Sequence, residues 1–234
     1  MPHKSVAVVA AMARELAPLL RGVRSQQAQG IEFFELDDAV IAVSGVGRKA
    51  AGRAAEALIS RYAPNILISA GLVGALTPKL KVGDVVEVKK VVDVDSGAKF
   101  ETGHGDAVLV TGAAVAGPAD KALEAQRWNA DIVDMEASAE AEVAKQHGIE
   151  FMAVKAVSDE VNFAMPPLGK FVSDQGEFET LRFLMWVAIR PKWWSAVRQL
   201  NANSNRAAAN LSQAVSHLIE QRVNIDRERG IQAV

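Results

Sequence analysis

The sequence predicts one α/β domain built on a largely parallel sheet. Short β-branched runs alternate with alanine-rich stretches, the sign of strands separated by helices. The strand-like runs end in small or acidic residues. With 234 residues, 50% of them hydrophobic, the chain is long enough for one large core. In open sheets of this kind ligands sit beyond the carboxyl ends of the strands, so chemistry is sought at those endings.

Ser5 to Ala11 is the first expected strand. It is an apolar run followed at once by Arg14 and Glu15, and it is too short for a signal peptide or a membrane span. Val40 to Ser44 and Asn65 to Ala70 are the next strands, with a helix at Arg48 to Tyr62 between them. Val85 to Val88, Ala107 to Thr111, Ala130 to Val133 and Phe151 to Val157 complete the set. Pro118 to Arg127 and Glu136 to His147 read as helices, the first opening on a proline whose missing N–H costs nothing there. After Asp159 the pattern changes: Met165-Pro166-Pro167 breaks it, and a helical stretch runs from about Glu177 to about Arg222, interrupted at Pro191. This is expected to be an extension of the same domain, which spans residues 1–223. The polar stretch Asn224 to Val234 is expected to be a disordered tail.

Composition narrows the chemistry. A net charge of −2 with interspersed signs offers no basic stripe for a nucleic-acid backbone, so a small-molecule ligand is the better expectation. The absence of cysteine excludes disulfides and thiol nucleophiles, and His3, His104, His147 and His217 share no ligand-like spacing. A cytoplasmic protein without a metal is expected.

Five short motifs remain as carriers of function. Glu15, in the first turn after the first strand, either offsets the helix dipole or serves as a general base for water. Ser44-Gly45-Val46-Gly47-Arg48 is a glycine turn into a helix, a tight connection or a cradle of N–H groups for an anion or a sugar hydroxyl. Ser69 to Ala75, containing Gly71, repeats the theme after the third strand. In Asp134-Met135-Glu136 an ionised Glu136 has two oxygens with which to accept two ribose hydroxyls, and Met135 can pack on the sugar or base; the alternative is helix capping. Ser158-Asp159 ends a buried-looking strand. Asp159 is either a turn residue or a general acid that protonates a purine ring as its glycosidic bond breaks.

Taken in order, these motifs resemble the purine nucleoside phosphorylase/nucleosidase superfamily, and most closely its 5′-methylthioadenosine/S-adenosylhomocysteine nucleosidase branch. The match runs from about Ser5 to about Asp159 and includes Lys81-Val82-Gly83-Asp84 after the third-strand turn. The resemblance implies a three-layer α/β/α fold around a twisted mixed sheet and a homodimer or larger assembly, with no metal or organic cofactor. It implies that Glu15 orients the attacking water, Met135 and Glu136 hold the ribose, and Ser158 and Asp159 hold and protonate the base. Ser44, Gly45 and Gly71 are further substrate-side candidates, and Val115 and Ala116 are positional candidates for stacking on the base.

Three departures shape the functional expectation. Ser69 and Leu72 stand where the family's phosphorylases carry an arginine and a serine, which favours hydrolysis; Leu72 also replaces the serine usual in the nucleosidases. Arg48 is a candidate to restore positive charge near the sugar, which keeps phosphorolysis, with phosphate as co-substrate, open. The stretch between Asp84 and Asp134 is shorter than in the nucleosidases, so a more open ribose end is expected. Finally, the ending from Arg182 to Trp194 resembles the hopanoid-associated phosphorylase branch, whose proposed substrate is an adenosylated triterpenoid. Three of the four tryptophans lie here beside Arg190, Lys192 and Arg198, either as a packing helix or as peripheral contact with a membrane or greasy ligand. The leading expectation is adenine release from a nucleoside with a bulky apolar 5′ group. The alternatives are an ordinary methylthioadenosine/S-adenosylhomocysteine nucleosidase, a purine nucleoside phosphorylase, and a noncatalytic nucleoside-binding or membrane-associated protein.

Overall fold

A computed structural model describes residues 4–113, 115–173 and 178–228. In chain order, strand β1 (Val6–Ala10) leads through a 3₁₀ turn (Ala13–Leu16) into the short helix α1 (Ala17–Leu20). A hairpin of β2 (Ser25–Ala28) and β3 (Ile31–Glu35) precedes β4 (Ala39–Val43) and α2 (Arg48–Tyr62). Then come β5 (Ile66–Ala75), β6 (Val85–Asp93), β7 (Lys99–Glu101), β8 (Ala107–Thr111), α3 (Pro118–Trp128), β9 (Ile132–Asp134), α4 (Ala137–His147) and β10 (Glu150–Asp159). A 3₁₀ turn (Leu168–Phe171), α5 (Thr180–Ala188), a second such turn (Pro191–Trp193) and the long α6 (Trp194–Glu228) complete the chain.

The ten strands form one mixed sheet with helices on both faces. Alternation along β1 shows the two-sided burial: Ala7 and Val9 pack with Ala54, Leu58 and Ala141 of α2 and α4, whereas Val6, Val8 and Ala10 pack with Ala207, Leu211 and Val215 of α6. A strand covered on both faces has no polar side to present, which is why this run reads as continuously apolar.

β5 organises the site. It pairs with β1 in parallel from Ile66 to Ser69, with β10 in parallel along most of its length, and with β9 in antiparallel at Gly74 and Ala75. β10 in turn pairs with β6, β6 with β8 and β8 with β9, so that β5, β10, β6, β8 and β9 close into a ring. β1 therefore ends where β9 begins to pair. The crevice opens between them, at the carboxyl ends of β1, β9 and β10.

The structure corrects four expectations about elements. The glycine segment from Ser69 to Ala75 is not a turn, because β5 continues through it, held by its pairing with β10 as far as Gly74. The hairpin of β2 and β3 and the short β7 were missed; β2 is mostly exposed and polar, and β7 has three residues. β6 extends five residues beyond Val88, to Asp93. In the expected disordered tail, Asn224 to Glu228 are the last turns of α6, while residues 229–234 lie outside the described residues, as does Glu177 at the expected start of the extension. Pro191 does separate α5 from α6, in the position where a proline is tolerated at a helix start.

Candidate active site

The crevice is a cavity of about 1170 Å³. Its lining brings together, from distant parts of the chain, Glu15, Ser44, Gly45, Val115, Ala116, Met135, Glu136, Ser158 and Asp159. Nine of the eleven candidate residues are thus on one surface. Gly71 and Arg48 are not among the lining residues.

Glu15 is carried by the 3₁₀ turn that follows β1 and is 3% exposed. Its carboxylate accepts a hydrogen bond from the Met12 N–H at 3.0 Å and a long one from the Leu72 N–H at 3.5 Å. Burial raises its pKa above the ordinary carboxylate value; the Met12 amide and Lys155 oppose that rise. Gly71 lies beneath it: a Cβ there would stand 3.6 Å from Lys155 Nζ and 4.0 Å from Glu15 Oε2. Gly71 therefore faces the lysine and Glu15 rather than the cavity.

Glu136 precedes α4 and points across to the β4–α2 turn, where it accepts from the Gly47 N–H at 2.7 Å; its other oxygen accepts from the Met135 N–H at 3.1 Å. Gly47 supports this approach with φ of 94°, a left-handed conformation that favours glycine. The capping alternative falls to the neighbour instead: Asp134 accepts from the Ala137 N–H at 3.1 Å and from the Thr111 hydroxyl at 2.8 Å. Burial, and then the charge of Asp134, push Glu136 up to about 8. Each of its oxygens keeps a lone pair for a further donor from the cavity.

Beneath these carboxylates lies Lys155, 2% exposed, donating to Ser69 Oγ at 2.8 Å and paired with Asp134 at 3.0 Å. Burial alone would depress its pKa, but Asp134, Glu140 and Glu136 outweigh that and raise it. Glu140, on α4, is 2% exposed and is pushed up to about 7 by burial, against the pull of Lys155 and a hydrogen bond with Ser69. Burial is the largest cause of the upward shifts of Glu15, Glu136 and Glu140, because a carboxylate is costly to ionise in so dry a setting, and Lys155 opposes each of them.

Ser158 donates either to Asp159 Oδ1 at 2.7 Å or to the Val73 carbonyl at 3.2 Å. The other Asp159 oxygen pairs with Lys121 of α3, whose Nζ also donates to the Glu160 carbonyl at 3.0 Å. Asp159 is 3% exposed and Lys121 only 1%. A Cβ on Gly74 would stand 3.0 Å from both Asp159 Oδ2 and Lys121 Cε, so glycine in β5 is what admits the pair. The partner of Asp159 is thus a buried cation, a contact the sequence reading did not include.

The expected N–H cradle at Ser44 to Arg48 is largely occupied. The Gly45 N–H bonds to the Ala11 carbonyl at 3.0 Å and the Gly47 N–H to Glu136, while Ser44 Oγ donates to the Gly45 carbonyl at 2.7 Å. Arg48 is drawn away from the cavity by Asp93 and Asp95, with which it forms ion pairs. Asp93 is buried and also receives hydrogen bonds from the Ser138 and Ser96 hydroxyls, a cluster that fixes the guanidinium in place.

Sequence reasoning missed Lys121, Lys155 and Glu140. Lys155 carries a signal, since a lysine within the apolar run Ala153 to Val157 must be buried and therefore paired. Lys121 carries a weaker one, a cation in the first turn of a helix, where the dipole disfavours it.

The α5 and α6 side of the cavity is largely apolar, lined by Leu168, Val172, Phe183, Leu184, Val187 and Trp194, with Thr180, Arg198, Asn201 and Ser204 as its polar residues. Phe171, Phe183 and Val187 form a small core that fixes α5 at this wall.

A family model of the phosphorylase superfamily matches residues 5–123 and 107–179. The chain belongs to the phosphorylase superfamily. As a member of that superfamily it is an enzyme that cleaves a glycosyl bond, the class expected from its motifs. A 5′-methylthioadenosine/S-adenosylhomocysteine nucleosidase of Shewanella halifaxensis is 29% identical over 203 residues, covering 69% of this chain and 88% of the relative. One from Tolumonas auensis is 34% identical over 88 residues, 35% of this chain and 38% of the relative. Among solved structures, futalosine hydrolase of Helicobacter pylori superposes with a TM-score of 0.70 at 16% identity, covering 93% of this chain and 98% of the other. The Neisseria meningitidis 5′-methylthioadenosine/S-adenosylhomocysteine nucleosidase, in complex with methylthio-immucillin-A, gives 0.70 at 23% identity, covering 93% and 99%. These superpositions show that the fold shared with the solved structures extends over 93% of the chain.

Proposed function

We propose that this enzyme hydrolyses the N-glycosidic bond of a purine nucleoside, releasing adenine, and that its substrate carries a bulky apolar 5′ group. The observation that carries the reading is the convergence of Glu15, Glu136 and Asp159 on one cavity whose α5 and α6 side is largely apolar. In this scheme Glu15 takes a proton from water as it attacks the anomeric carbon. Glu136 accepts the ribose hydroxyls with its remaining lone pairs, and a proton delivered at Asp159 lets the base leave as a neutral molecule. Water, rather than phosphate, as nucleophile is supported by three placements: Ser69 is engaged by Lys155, Leu72 offers the cavity an aliphatic side chain, and Arg48 is held by Asp93 and Asp95. Adenine as the base is supported by the nucleosidase relatives.

The apolar wall favours a 5′ group larger than methylthio, an adenosylated hopanoid being one candidate. Exposed Leu181, Leu184, Met185 and Ile189 on and after α5, with Arg182 and Arg190 beside them, suit peripheral contact with a bilayer carrying such a substrate. Among the described residues no helix is long and apolar enough to cross a membrane. We also propose a homo-oligomer, as the resemblance implies.

The test is adenine release from methylthioadenosine, S-adenosylhomocysteine, inosine and an adenosylhopanoid, with and without phosphate. Strict dependence on phosphate refutes hydrolysis, and preference for inosine refutes adenine. Efficient turnover of the first two alone establishes the second reading, an ordinary methylthioadenosine/S-adenosylhomocysteine nucleosidase, which the relatives favour. Flotation with anionic liposomes tests the bilayer contact.

A further inference from the structure

We infer that Lys121 is the source of the proton that leaves with the base, acting through Asp159, so that the acid of this enzyme is an ammonium–carboxylate pair rather than a lone carboxylic acid. The inference rests on the nucleosidase reading above.

Both oxygens of Asp159 face donors: Oδ2 receives a hydrogen bond from Lys121 Nζ, and Oδ1 is the nearer of the two acceptors open to the Ser158 hydroxyl. A carboxylate that is paired with an ammonium holds no proton to give. The nearest acidic proton is the one Lys121 donates to it. Lys121 also lines the cavity, although its side chain is only 1% exposed. Its ammonium is further fixed by the carbonyls of Glu160 at 3.0 Å and of Asp159 at 3.4 Å, so it is held rather than merely enclosed.

A structural explanation of Lys121 is weak. The first turn of a helix is the least favourable place for a cation, and burying an ion pair commonly returns no stability relative to apolar residues of the same size. Gly74, the penultimate residue of β5, accommodates the pair at the expense of strand propensity.

The step balances as follows. A proton passes from Lys121 Nζ to the Asp159 carboxylate, Asp159 then gives it to purine N7, and the electrons of the C1′–N9 bond pass to the base. Water adds its oxygen to C1′ and gives a proton to Glu15. The products are neutral base and free sugar, with Lys121 an amine and Glu15 a carboxylic acid. The proton on Glu15 is lost to solvent and one is regained at Lys121 before the next turnover.

The test compares two leaving groups in wild type, Lys121→Met and Lys121→Arg. One is the purine nucleoside that the enzyme turns over; the other is 4-nitrophenyl β-D-ribofuranoside, whose phenolate departs without a proton. Arginine preserves the charge and the pairing but does not give up its proton in proteins. Both variants are expected to lose about 100-fold or more of kcat on the purine nucleoside while staying within several-fold of wild type on the nitrophenyl riboside. If the methionine variant fails to fold, the arginine variant carries the comparison. Full activity of Lys121→Arg on the purine nucleoside, or an equal loss on both substrates, overturns the role of Lys121 while leaving the nucleosidase reading intact. Absence of wild-type turnover on every purine nucleoside overturns both.

Discussion

Replacing Glu140 by glutamine should flatten the dependence of stability on pH. Glu140 is 2% exposed, one of its oxygens has no hydrogen-bond partner among the described residues, and its pKa is raised from 4.5 to about 7 chiefly by burial. A carboxyl group whose pKa is higher in the folded than in the unfolded protein imposes no cost below the unfolded value. Its cost grows as pH rises through the interval and is complete above the folded value. From 4.5 to about 7 the full penalty is about 3 kcal/mol, of which about 2 kcal/mol accrues between roughly pH 5.5 and 8.5. Glutamine keeps the shape and a hydrogen-bonding group towards Ser69 without ionising. Urea denaturation of both proteins at those two pH values measures the difference directly. The variant should lose about 2 kcal/mol less stability than wild type across the interval, whatever its absolute stability. Parallel losses would mean that Glu140 ionises as freely folded as unfolded, and that burial does not raise its pKa.

Other outcomes follow from the same geometry. Asp159→Asn should reduce kcat by about 100-fold or more and also destabilise the fold by about 3 kcal/mol, because Lys121 is left buried without its counterion; near-normal turnover would remove Asp159 from the mechanism. Arg48→Ala should leave kcat and KM within about twofold while lowering stability by about 1 kcal/mol, through loss of its ion pairs with Asp93 and Asp95. A tenfold rise in KM would show that Arg48 does reach substrate. Because Glu136 must be ionised to accept two ribose hydroxyls and is pushed up to about 8, kcat/KM should rise with pH to an inflection near that value; a profile flat on both sides of it would count against this role. Val187→Ser with Leu184→Ser should raise KM for 5′-alkylthio nucleosides more as the alkyl chain lengthens, and a chain-length-independent effect would place the 5′ group elsewhere.

The sequence by itself determined the order and kind of the main elements, because each is encoded locally. Short continuous apolar runs bounded by turn residues mark β1, β4 and β8, and Pro118 and Gly148 bound α3 and α4 with features that act within one turn. It also brought forward Glu15, Glu136 and Asp159, since a carboxylate just beyond a strand end is legible without knowing the partners of the strand. What it misjudged was non-local. The glycines of β5 look like a turn until β10 is laid beside them, when Gly74 is seen to leave room for Lys121 and Asp159. Arg48 looks like a substrate cation until Asp93, 45 residues away, binds it. Lys121 and Asp159 lie 38 residues apart on different elements, and no periodicity within either one encodes their meeting. Only the closure of β5, β10, β6, β8 and β9 into a ring decided which charges neutralise one another. The three carboxylates were legible as single residues, but the cations beside them were set by the packing.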